Sequence, residues 1–140
     1  MSKPLVLFFA TFFLVSGSVH AQSASRLKAN IPFDFYVGST AFTAGTYTIK
    51  PVGVGGDAVV FRSTDSREAM IVPAWTYALD REEHDSELVF QVSGDRYSLW
   101  QLYTEGYSEG LEFYIAYTPT QEASGAQPQL VVIKATLIEP

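Results

Sequence analysis

His84 sits in Asp80-Arg81-Glu82-Glu83-His84-Asp85-Ser86-Glu87, one imidazole among five carboxylates. An oxygen-rich set of this kind suits calcium or magnesium, and His with Asp and Glu can hold a transition metal. The spacing does not follow the alternating acidic loop with a sixth-position glycine that a calcium hand uses. A zinc site built on one histidine without cysteine is short of ligands. The segment therefore reads first as a charged, solvated loop, and no metal or cofactor is assigned to it. A second acidic group, Glu105, Glu109 and Glu112, surrounds Tyr107. Two carboxylates facing each other across a cleft at about 5–10 Å would suit glycoside hydrolysis. The chain has no cysteine, which removes thiol catalysis and thiolate metal sites. It has no Gly-x-Ser-x-Gly elbow, and the glycines Gly53 to Gly56 are followed by no helix start or lysine. No catalytic residue is assigned. A hydrolase or metal-dependent enzyme using the carboxylates of 80–87 or 105–112 stands as the alternative reading.

The aromatic residues carry the stronger signal. Trp75, Tyr77, Tyr97, Trp100, Tyr103 and Tyr107 fall on the later segments. Strict alternation would place Tyr97, Leu99, Gln101 and Tyr103 on one strand face, and Ser98, Trp100 and Leu102 on the other. Both faces of a two-layer domain are not buried equally. Either one set faces solvent or the strands enclose a cavity. These six aromatics are the candidate ligand-binding residues, and the ligand classes they suit are a partner protein surface, a glycan or a small apolar molecule. The expected function is that of a non-enzymatic binding module.

The elements that must carry these residues follow a two-residue period. Ile31, Phe33, Phe35 and Val37 alternate with Pro32, Asp34 and Tyr36, then Gly38 to Gly45 supplies turn chemistry, and Tyr47 to Val52 opens a second run. Strands are thus expected over Leu27–Val37, Tyr47–Val52, Ala58–Arg62, Ala69–Leu79, Leu88–Ser93, Arg96–Thr104, Leu111–Tyr117 and Leu130–Ile138. Gly94-Asp95 between two alternating runs marks a tight hairpin. Pro51 and Pro73 lack the ladder N–H and imply edges, ends or a bulge. The spacing, with no helical pattern in the body of the chain, predicts a single all-β domain: an antiparallel β-sandwich or small closed β-barrel of seven to nine strands. Tyr47 is expected to pack its ring inward and offer its hydroxyl to a loop carbonyl. Asp34 is expected on the opposite face, solvated or capping a neighbouring loop.

The segment Ile31-Pro-Phe-Asp-Phe35, Gly38 and Ala44-Gly45-Thr-Tyr47 resembles a group of small exported bacterial β-proteins of uncharacterised function. Their precursors carry a signal peptide and an I-P-F-x-F-x-x-G-…-P-A-G-x-Y pattern. Thr43 stands where that pattern has proline. The resemblance implies export and a β-domain, and carries over no catalytic residue.

The first residues agree with export. Lys3 precedes an apolar run from Leu5 to Val15 interrupted only by Thr11, and Val19-His20-Ala21 has small or branched residues where a signal peptidase reads. Cleavage after Ala21 is expected, leaving a domain of 119 of the 140 residues, in the periplasm or outside the cell, with no stable membrane anchor. Loss of Lys3 leaves 8 basic against 15 acidic residues, a net charge of −7. That balance argues against nucleic acid, whose phosphates need a basic footprint.

Overall fold

The computed structural model describes residues 25–53, 55–116 and 128–138. The expected signal peptide, 1–21, and most of the loop between Thr118 and Gln129 lie outside them. The described chain is all-β, and its strands form two sheets that pack face to face as a sandwich. In the first sheet the order is β12 (Thr136–Ile138), β1 (Arg26–Ile31), β4 (Gly45–Val52), β5 (Ala58–Ser63) and β6 (Ala69–Pro73), every pair antiparallel. In the second it is β11 (Gln129–Lys134), β8 (Glu87–Ser93), β9 (Arg96–Tyr103), β10 (Glu109–Glu112) and β7 (Trp75–Ala78). A small hairpin, β2 (Phe35–Val37) with β3 (Thr40–Phe42), joins β9 through a parallel bridge between Tyr36 and Ser98.

Of the runs readable in the sequence, three break where the chain changes sheet. Leu27–Val37 divides at Pro32 to Asp34, so that Ile31 buries in one sheet and Phe35 in the other. Pro32 has no N–H for a ladder, which ends β1 there. Ala69–Leu79 divides at Ala74, and Leu130–Ile138 at Ala135. Both corners are held by backbone: the Ala74 N–H donates to the Asp57 carbonyl at 3.0 Å, and the Ala135 N–H to that of Ser86 at 2.9 Å. Small side chains let the strand bend close to the core. The described residues thus hold twelve strands against the seven to nine expected, because three runs split and β3 is added. The run expected over Leu111–Tyr117 is strand only to Glu112, in β10, which begins at Glu109.

Proline placement follows the ladder. Pro51 lies where β4 overhangs the end of β1, whose last partner pair is Leu27 with Ile49. Pro73 ends the edge strand β6. Between β8 and β9 the pairing closes at Ser93 and Arg96 around Gly94-Asp95. Gly94 takes φ +59, the sign a two-residue hairpin requires at its first central position.

The space between the sheets is filled by side chains. Phe35 stacks on Phe42 at 5.1 Å and meets Tyr47 and Phe90 edge-on at 5.5 and 5.6 Å. Phe42 reaches Phe61, and Phe61 reaches Phe113 at 6.0 Å. The β2–β3 hairpin is therefore an aromatic wedge whose rings touch both sheets. Full burial of such a ring stabilises by about 1.5–3 kcal/mol, and well-oriented ring pairs add about 0.5–1.5 kcal/mol. The turn after the wedge is pinned twice: the Tyr47 hydroxyl donates to the Thr43 carbonyl at 2.6 Å, and Asp34 Oδ1 accepts the Ala44 N–H at 2.9 Å. The tyrosine does what its position in the sequence implied, and Asp34 takes the capping role.

Candidate ligand-binding face

On β9, Leu99 and Leu102 are both fully buried, which strict alternation forbids. The cause is a bulge. Val89 pairs with Gln101 and the next residue, Phe90, pairs with Leu99, so Trp100 is an extra residue opposite no partner. Trp100 and Gln101 consequently lie together on the outer side, and Tyr103 follows them there. Tyr97 stays on the inner side, stacked on Phe33 at 4.0 Å. The face division expected from period two is corrected at this one residue.

Registers then place the rest. Trp75 of β7 pairs with Glu112 of β10, which pairs with Gln101 of β9, which pairs with Val89 of β8, which pairs with Val132 of β11. This transverse row crosses the whole second sheet. A parallel row, Tyr77, Gly110, Tyr103, Glu87 and Lys134, runs beside it. Leu111 and Phe113 belong to the core, so Glu112 between them faces out. Val89 is buried yet stands outside the core cluster, because it lies under this outer face.

Four of the six candidate aromatics, Trp75, Tyr77, Trp100 and Tyr103, are thereby brought together. Trp75 is 57% exposed, and the other three are half-buried. Tyr97 is part of the core margin. Tyr107 lies in the β9–β10 loop, where its hydroxyl meets the Ser25 Oγ at 2.7 Å.

Two polar residues complete the face. The Trp100 indole N–H points to Glu112 Oε1 at 3.4 Å. Tyr77 donates its hydroxyl to that of Tyr103 at 2.9 Å, and Tyr103 donates in turn to Gln101 Oε1 at 2.8 Å. Partial burial, then the bond to Tyr103, then the nearby Glu112 and Glu83 carboxylates, hold the Tyr77 phenol well above its ordinary pKa. It is a firm donor. Tyr77 reaches Tyr103 across Gly110, where a β-carbon would stand 2.8 Å from the Tyr77 ring. The glycine is there for room.

The acidic segment is exposed at Asp80, Arg81, Glu82, His84 and Asp85, as expected of a solvated loop, and it is also tied down. Its backbone is zipped to the β9–β10 loop: the Glu83 N–H donates to the Tyr107 carbonyl and the Gly106 N–H to that of Glu83. Ser86 is buried and its Oγ accepts the Glu105 N–H at 3.0 Å. Lys134 pairs with Asp85 at 3.3 Å and with Glu87, and the Glu87 bond above all raises the lysine pKa. His84 is exposed. Among the described residues no three His, Asp or Glu side chains converge on a common metal position. Glu109 and Glu112 are three residues apart on one strand, so the pleat turns them to opposite faces.

A shallow pocket of about 110 Å³ opens elsewhere, at the first-sheet side of the wedge, lined by Phe42, Tyr47, Phe61, Ser63, Glu68 and Met70. It shares none of the candidate aromatics. The pairing of Glu112 with Gln101 is not legible in the sequence, because their adjacency comes from cross-strand register; the sequence carries only the residue types.

Among the described residues no helix is long and apolar enough to cross a membrane. In comparisons with known proteins, no family model, no curated protein and no solved structure matches the chain.

Proposed function

We propose that this chain is an exported, non-enzymatic binding module that takes saccharide on the outer face of its second sheet. The observation that carries the reading is the row Trp75, Glu112, Gln101, with Trp100, Tyr77 and Tyr103 beside it. Trp75 and Gln101 are two strand spacings apart, about 10 Å, which is the scale of a disaccharide. An exposed indole offers a flat apolar surface to the C–H face of a sugar ring, and adjacent polar groups meet its hydroxyls.

A small apolar ligand inside the sandwich is disfavoured, since phenylalanine rings already occupy that space. A protein partner is the second reading, favoured by Leu130 and Val132, which are 52% and 48% exposed on β11. The carboxylate and carboxamide in the centre of the row tip the choice to a hydroxylated ligand, because an apolar interface core disfavours charge. Export rests on the amino-terminal pattern and on the resemblance described above. The non-enzymatic reading is supported by the opposed orientation of Glu109 and Glu112.

Affinity electrophoresis tests this. The purified domain should migrate more slowly through gels containing hydroxyethylcellulose or another neutral polysaccharide. Trp75→Ala should migrate normally while keeping the wild-type circular dichroism. Unretarded wild-type protein across a panel of neutral and charged polysaccharides would reject the proposal.

A further inference from the structure

The two polar residues of the row have their hydrogen-bonding capacity divided between the protein and the outside. A phenol has one proton. Tyr77 gives its proton to Tyr103, and Tyr103 gives its own to Gln101 Oε1. This chain fixes the orientation of the amide, so the two N–H donors of Gln101 are left over. Among the described residues neither donor is used. Glu112 accepts from Trp100 through Oε1, and among the described residues Oε2 is without a partner. A pair of donors and a carboxylate acceptor therefore stand on neighbouring strands at one register position, next to the exposed ring of Trp75.

We infer that Glu112 and Gln101 are the specificity-determining pair of this face, reading two vicinal equatorial hydroxyls of a neutral pyranose whose C–H face lies on Trp75. The inference rests on the proposed saccharide-binding role and deepens it. A hydroxyl is both donor and acceptor, so two neighbouring hydroxyls satisfy a carboxylate acceptor and an amide donor together. Equatorial hydroxyls radiate in the plane of the sugar ring, which lets the ring lie flat on the indole while its edge reaches Glu112 and Gln101. An axial hydroxyl on that side would lift the ring from Trp75. Uronate polymers are excluded by charge: Glu112 is in the row, Glu83 and Glu112 both lie close enough to act on Tyr77, and the chain is acidic.

Isothermal titration calorimetry with cellohexaose and with oligogalacturonate, on four proteins, tests the pair. Wild type should bind cellohexaose and ignore oligogalacturonate. Glu112→Gln keeps an acceptor for Trp100, and Gln101→Glu keeps an acceptor for Tyr103, so both retain the internal bonds. Each should bind cellohexaose about tenfold more weakly, because Glu112→Gln replaces a charge-assisted acceptor with a neutral amide and Gln101→Glu sets a second carboxylate directly opposite Glu112 in place of the donor. Trp75→Ala should lose binding. If Trp75→Ala loses binding while the two isosteric variants bind as wild type does, the pair is not the reader, and the saccharide face still stands. Equal or tighter binding of oligogalacturonate by wild type would overturn the inference in the same way. No binding of any saccharide by wild type would overturn the inference and the proposed function together.

Discussion

Gly110 shows how much of the outer face depends on a missing side chain. Tyr77 crosses over it to reach Tyr103, and their rings lie 6.5 Å apart nearly at right angles. Gly110→Ala would drive a β-carbon into the Tyr77 ring. The expected cost is about 1–3 kcal/mol, read by urea unfolding, together with loss of the bond to Tyr103. A variant as stable as wild type would show that the ring moves aside freely. The phenol adds a pH dependence whose sign is set. Its folded pKa lies above the ordinary value of about 10. The folded state therefore holds the proton more tightly than the unfolded chain does. Its contribution is complete below pH about 10 and is lost as pH rises through the folded value. Unfolding free energy should thus fall more steeply above pH 10 in wild type than in Tyr77→Phe. Identical alkaline slopes would remove Tyr77 as the cause. The effect is modest, because much of the side chain meets water.

At the scale of elements, local signals were readable and non-local ones were not. The Gly94-Asp95 hairpin, the strand runs and the Tyr47 hydroxyl bond depend on residues within a few positions of each other, and each was legible. The bulge at Trp100 depends on which strand lies beside β9 and in what register, which no window of the sequence contains. That single extra residue separates Tyr97 from the outer aromatics and sets Trp100 beside Glu112. The corners at Ala74 and Ala135 were hidden for the same reason: a bent strand keeps its alternation, and only the second sheet explains the bend. The turn at Thr43 and Ala44 offers a test at this scale. Tyr47→Phe should destabilise by about 1 kcal/mol, and Asp34→Ala by a similar amount. Because both bonds hold one turn, the double variant should depart from additivity by about 0.5 kcal/mol or more. Strict additivity in urea unfolding would show that the two bonds act on separate parts of the chain.

The whole molecule divides its aromatic residues between two tasks. Inner rings join the sheets through the β2–β3 wedge, and outer rings lie on the second sheet's outer face, where the proposed binding would use them. Substitution should separate the two. Phe35→Ala removes a ring that touches Phe42, Tyr47 and Phe90 and should cost about 3–5 kcal/mol, a large share of the 5–15 kcal/mol typical of a domain. Trp75→Ala removes an exposed ring and should change stability by no more than about 0.5 kcal/mol. Both are read in one thermal or urea series. The most direct trial of the central claim is an amide and indole chemical-shift titration of the wild-type protein with the neutral oligosaccharide that retards it. With two tryptophans in the chain, the indole signals are readily told apart by one substitution. Saturable shifts should gather at Trp75, Trp100, Gln101 and Glu112 and spare Phe35 and Phe90. Shifts gathered instead around Phe42, Phe61 and Met70, with the second-sheet row unmoved, would contradict the account.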